Sequence, residues 1–219
     1  MNNQFTKAVI FDMDGVLADT EPIYFQIERD LFSHFKVTIS KEEHESFVGT
    51  SLENMWDKII KDHSLKECRD KIIDYNKNYV TKYIENLLEL SPTKNVKEFL
   101  KDLKEKDIKI GLASSSSKNL INIILNRLDI KDFFEVIVSG EDVKQSKPNP
   151  DIFLKTAELL NVAPNECVVI EDSSNGVNAA KEAGMKCIGF LNPNSGKQNL
   201  EKADLIINQF PKEILHIDL

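Results

Sequence analysis

The chain has 219 residues, of which 41% are hydrophobic and 29% charged, and a formal net charge of −8. That size and balance suit a folded enzyme core with room for a smaller insert. The acidic balance argues against a nucleic acid or an anionic membrane surface as partner, since phosphate backbones demand clustered Lys and Arg. Cys68, Cys167 and Cys187 lack CxxC spacing, so neither a disulfide framework nor a zinc site is expected, and the last two sit in apolar runs as small buried hydrophobes. The segment Met1-Asn2-Asn3-Gln4 does not lead from a basic stretch into an apolar one, and no run reaches membrane-spanning length. A cytoplasmic protein is expected, and a monomer.

In chain order, residues 7–11 read as the first strand. Residues 18–90 contain no convincing strand and read as amphipathic helices, with 23–35 and 66–88 among them. Such a stretch is too long for an ordinary strand–helix connection, so it is expected to form a helical cap, with 89–92 returning the chain to the core. Residues 95–106 place Val96, Phe99, Leu100 and Leu103 on one helical face. Strand-like runs follow at 108–113, 135–138, 167–170, 186–190 and 205–207, alternating with helical stretches at 119–128, 150–160 and from 176 to 183. The strands are nearly continuous in Val, Ile, Leu and Phe, the pattern of strands buried on both faces of a parallel sheet. The expectation is an α/β fold: a Rossmann-like parallel sheet core at 1–17 and 91–219 with an inserted helical cap domain at 18–90.

The chemistry falls at strand ends. The first strand ends in Phe11-Asp12-Met13-Asp14-Gly15. Two carboxylates two residues apart repel, unless a hard cation such as Mg²⁺ lies between them; otherwise the segment is an acidic turn with Asp14 as a helix cap. The second strand leads into Ser114-Ser115-Ser116-Ser117-Lys118, where hydroxyls and free N–H groups at a helix start make an anion site, with Ser117 a candidate cap. Ser146-Lys147-Pro148-Asn149-Pro150 precedes a helix, and its prolines would aim the Lys147 ammonium. A fourth strand ends in Glu171-Asp172-Ser173-Ser174-Asn175-Gly176, a second acidic pair, with Asp172 or Ser173 able to cap the next helix. Each signal alone has a structural explanation. Two acidic pairs, a hydroxyl anchor and a placed lysine on one sheet edge exceed what capping requires.

The chain resembles the haloacid dehalogenase superfamily, in its helical-cap phosphatase and β-phosphoglucomutase-like branch. Four stretches carry the resemblance: residues 11–17 with Asp19-Thr20-Glu21-Pro22; Leu112-Ala113-Ser114-Ser115-Ser116; Ser146-Lys147-Pro148 with Pro150-Asp151-Ile152-Phe153; and Glu171-Asp172-Ser173 with Gly176 and Ala179. The resemblance implies a Mg²⁺-dependent phosphohydrolase of small phosphorylated metabolites. Asp12 would be the nucleophile that forms an aspartyl-phosphate, and Asp14 the acid and then the base. Ser114, Ser115 and Lys147 would bind the substrate phosphate. Asp12, Asp14 (through its carbonyl), Glu171 and Asp172 would surround the metal. Asp14 itself favours phosphoryl transfer over dehalogenation, which has no use for an acid at that position. The cap would close over the substrate near residues 18–21 and 90–92.

A phosphosugar mutase is the alternative. Where β-phosphoglucomutase has a cap His this chain has Tyr24, and in Gly49-Thr50-Ser51-Leu52-Glu53 the neutral Leu52 falls where its phosphate-binding Arg stands. Lys58 or Lys77 could compensate. Trp56, with Met55, Ile59 and Ile60, reads as cap core in preference to a substrate wall. His34, His44, His63 and His216 are too scattered to suggest a metal site. Lys58, Lys61 and Lys66 read as a solvated face.

Overall fold

A computed structural model describes residues 6–47 and 51–211, apart from the side chain of Glu45. The loop residues Gly49 and Thr50, His216 and the segment Met1-Asn2-Asn3-Gln4 lie outside the described residues. The chain divides into two compact units, Met1–Asp19 with Glu89–Leu219, and Thr20–Leu88.

In the first unit, six parallel strands make one sheet: β1 (Ala8–Phe11), β2 (Lys109–Ser114), β3 (Val136–Ser139), β4 (Cys167–Glu171), β5 (Lys186–Phe190) and β6 (Leu205–Ile207), in the order β3-β2-β1-β4-β5-β6. Every residue of β1 and of β4 is buried, as their unbroken apolar runs require. Register pairs Phe11 with Leu112 on one side and with Ile170 on the other, so β1 sits at the centre with β2 and β4 flanking it. The order reverses direction around β1, and in open parallel sheets ligands bind beyond the carboxyl ends of the strands at such a point.

The second unit is helical: α1 (Glu21–His34), α2 (Lys41–Glu45), α3 (Leu52–Asp62) and α4 (Arg69–Asn86). Ser40 and Ser51 cap α2 and α3 with their hydroxyls. Its interior is aromatic. Trp56 is fully buried and meets the rings of Phe32 and Phe35 edge-on, with centroids 5.9 and 5.3 Å apart.

Helices α5 (Val96–Glu105), α6 (Lys118–Arg127), α7 (Asp151–Leu160) and α8 (Ser174–Glu182) return to the first unit. Val96, Phe99, Leu100 and Leu103 form the buried stripe of α5, at the i, i+3, i+4, i+7 spacing of a helix with one apolar face. Ser117 caps α6 and Ser173 caps α8. Asp14 is no helix cap: it follows β1 and bridges to Ala18. No helix among the described residues is long and apolar enough to cross a membrane.

Candidate active site

The parallel strands bring the motif residues to one edge of the sheet. Asp12 directly follows β1, and its N–H donates to the Ile170 carbonyl of β4 at 2.9 Å. Ser114 ends β2, Glu171 ends β4, and Asp172 comes next. From the segment ahead of α7, the Lys147 ammonium reaches in to Asp12 Oδ1 at 2.5 Å, Glu171 Oε1 at 2.7 Å and the Ala113 carbonyl at 3.0 Å. Its three donors thus meet three acceptors. The Phe153 ring lies 5.0 Å from the same nitrogen.

Electrostatics follow from this packing. Burial alone would lower the Lys147 pKa, but Asp12 and Glu171 more than reverse that and hold it above the usual lysine value, so the group stays cationic. Burial pushes the Asp12 carboxyl well above the usual carboxylate range; Lys147 opposes the shift, while Glu171, Asp172 and Asp14 add to it. Asp12 and Glu171 thus share the Lys147 ammonium, with Asp172 and Asp14 near enough to raise Asp12 further.

Each acid is held in place. Glu171 Oε2 accepts from the Ser173 N–H at 2.8 Å and the Ser173 hydroxyl at 2.9 Å, which leaves its other oxygen for Lys147. Gly176 makes room for it: a Cβ there would lie 1.8 Å from the Glu171 carboxyl carbon. Asp14 Oδ2 accepts from the Ser116 hydroxyl at 2.9 Å, and the Ser116 N–H donates to Ser114 Oγ at 3.1 Å. Gly15 has φ +79°, the left-handed turn that leads out of the first motif, and a Cβ on it would fall 1.9 Å from Asp172 Oδ2. Ser114 is buried, whereas Ser115 is exposed beside the Gly140 backbone.

The sequence profile of haloacid dehalogenase-like hydrolases matches residues 9–190. The chain belongs to that family. It is 36% identical over 217 residues to the phosphorylated carbohydrates phosphatase of Thermotoga maritima, covering 96% of this chain and 97% of that one. It is 34% identical over 219 residues to the beta-phosphoglucomutase of Bacillus subtilis, covering 96% and 94%. The crystal structure of CbbY from Rhodobacter sphaeroides superposes with a TM-score of 0.82 over 94% of this chain and 95% of that one, at 22% identity, and so shares the fold.

Within this haloacid dehalogenase-like hydrolase, Ser116, quoted in the second motif without a role of its own, and several polar residues that sequence reasoning passed over contact the predicted set. Ser116 holds Asp14, and the buried Ser139 at the end of β3 donates to the Ser116 carbonyl at 2.6 Å. The Ser195 hydroxyl donates to Asp172 Oδ2. Asn192 Nδ2 donates to the Gly15 carbonyl and to Asp19 Oδ1, each at 3.1 Å, and Asn194 Nδ2 to Asp19 Oδ2 at 2.6 Å. The one available signal was the polar run Asn192-Pro193-Asn194-Ser195 just after an apolar strand.

The donor set suits a hard divalent cation. All four acids offer oxygen, and their charge exceeds what Lys147 offsets. Among the described residues, no group of three or more His, Cys, Asp or Glu side chains is placed to hold a metal ion. An open set of carboxylates suits Mg²⁺, which is usually held by one or two carboxylates and completes its shell with water and substrate oxygens.

Proposed function

We propose that the chain is a phosphatase of small phosphorylated carbohydrates and related metabolites, working through a phosphoryl group carried on Asp12. The observation that supports this most is the Lys147 ammonium held between Asp12 and Glu171 at 2.5 and 2.7 Å. A carboxylate can attack an anionic phosphoryl group only if local positive charge offsets their repulsion. The name of the Thermotoga maritima relative points to the same substrate class.

In this reading Asp12 attacks phosphorus and the leaving oxygen takes a proton from Asp14, whose carboxyl is turned by Ser116. Asp14 then takes a proton from the water that releases phosphate. Ser114, Ser115 and Lys147 bind phosphoryl oxygens. Asp12, Asp172 and the Asp14 carbonyl would hold Mg²⁺, with Glu171 adjacent and acting through Lys147. The bound ion would neutralise charge on the transferring group and orient it. The protein would act as a cytoplasmic monomer.

A screen of phosphorylated sugars and polyols for phosphate release with Mg²⁺ tests this directly, and release from none of them would overturn it. Mutase chemistry is a second reading, favoured by the Bacillus subtilis relative. Against it, Tyr24 and Leu52 offer no second phosphate-binding Arg. Supplying β-glucose 1-phosphate with catalytic bisphosphate separates the two: free phosphate is expected, and rapid isomerisation with negligible phosphate release would favour the mutase.

A further inference from the structure

The loop after β5 touches the catalytic edge at two places. Asn192 Nδ2 holds the Gly15 carbonyl at 3.1 Å, and three residues on the Ser195 hydroxyl donates to Asp172 Oδ2. All three side chains are buried, with Asn192, Ser195 and Asp172 at 7%, 4% and 5% exposure. The loop is itself fixed. The Asn194 N–H donates to Asn192 Oδ1 at 2.8 Å, and Gln198 ties the Ser195 carbonyl (3.0 Å) to the Ser174 N–H at the start of α8 (2.9 Å). The Oδ2 oxygen of Asp172 therefore lies against both the Gly15 backbone and Ser195: a Cβ on Gly15 would lie 1.9 Å from Asp172 Oδ2 and 3.1 Å from Ser195 Oγ.

We propose that Ser195 is a positioning residue for the divalent cation, fixing the rotation of the Asp172 carboxylate so that it presents one oxygen and thereby favours Mg²⁺ over larger ions. This rests on the metal reading given above. A free aspartate turns about its last torsion and can offer either one oxygen or both. Mg²⁺ demands near-ideal octahedral geometry, whereas Ca²⁺ accepts bidentate carboxylates and irregular shells. A hydroxyl that occupies Oδ2 suppresses the bidentate mode. Partners of this kind outside the ligand shell typically carry about 10–100-fold in metal affinity.

The test is calorimetric titration of Mg²⁺ and of Ca²⁺ into the full chain without substrate, for the wild type, Ser195→Ala and Ser195→Thr. Ser195→Ala is expected to weaken Mg²⁺ binding about 10-fold or more while leaving Ca²⁺ binding nearly unchanged. Ser195→Thr, which keeps the hydroxyl, should restore most of the Mg²⁺ affinity. If Ser195→Ala folds poorly, Ser195→Cys, close in size and a weak donor, carries the same comparison. Unchanged Mg²⁺ affinity in the variant, or an equal loss for both ions, would overturn the positioning role while leaving the metal reading intact. A wild-type chain that binds neither ion would overturn the metal reading, and this role with it.

Discussion

In the core, Asp12 and Glu171 lie buried against one ammonium and the buried Asp172 against the Ser195 hydroxyl, so each has a polar partner from another strand end or loop. Among the described residues of the inserted unit, the buried polar side chains are Thr20, His44 and Asn76, and His44 is set among rings. His44 stacks on Phe25 with centroids 3.8 Å apart and meets Glu28 at 2.6 Å, while the indole N–H of Trp56 has no hydrogen-bond partner among the described residues. The first arrangement concentrates charge where parallel strands end, at a cost in stability that the catalytic role proposed above would explain. The second is an aromatic core that ordinary packing explains. Substitutions should therefore act on turnover in the core and on stability in the insert.

The sharpest attempt to break that contrast is Asp12→Asn, which should lower phosphate release by about 10³-fold or more while the protein stays folded by circular dichroism. Lys147→Met comes next. It leaves two buried carboxylates without their cation, so it should reduce turnover severely and also cost about 3–5 kcal/mol in denaturant unfolding. A fully stable Lys147→Met protein would show that the ammonium does not balance Asp12 and Glu171. Removal of metal with EDTA should abolish activity, Mg²⁺ should restore it, and Ca²⁺ should restore it poorly. Full turnover in metal-free buffer would contradict the role given to Asp172.

In the insert the effects should be smaller and of another kind. Trp56→Phe removes a buried N–H that has no partner among the described residues, along with some ring volume, so the two changes offset and unfolding free energy should move by less than about 1.5 kcal/mol, with turnover unchanged. A large loss of activity would make Trp56 part of the substrate site. The thiols give the mildest contrast. Burial raises Cys187 to about 12 and Cys167 to about 11, whereas Cys68 in the insert is exposed. Iodoacetamide at neutral pH should alkylate Cys68 alone and leave activity intact, as read by peptide mass.

The strands and the motif residues were legible because buried parallel strands leave unbroken apolar runs and the acids follow them directly. What the apolar pattern missed is instructive. It places the ends of three strands at residues 113, 138 and 170, and the structure carries each one residue further, to Ser114, Ser139 and Glu171. Those polar ends still pair in the sheet, as Ser114 does with Ser139, and each takes part in the site. The Asn192–Ser195 brace left less trace. Its partners, Gly15, Asp19 and Asp172, are distant in sequence, so only tertiary folding brings them together.

Direct chemical trapping of the phosphoryl group tests the central claim most closely. Given an aryl phosphate whose good leaving group needs no proton from residue 14, the Asp14→Asn variant should form the acyl phosphate but release it slowly, since it lacks the base for hydrolysis. Acid quenching during turnover, borohydride reduction and peptide mass spectrometry should then find residue 12 converted to homoserine, the product expected from an acyl phosphate at Asp12. Phosphate release that proceeds with residue 12 unmodified throughout, or with the reduction product at another acid, would contradict the account.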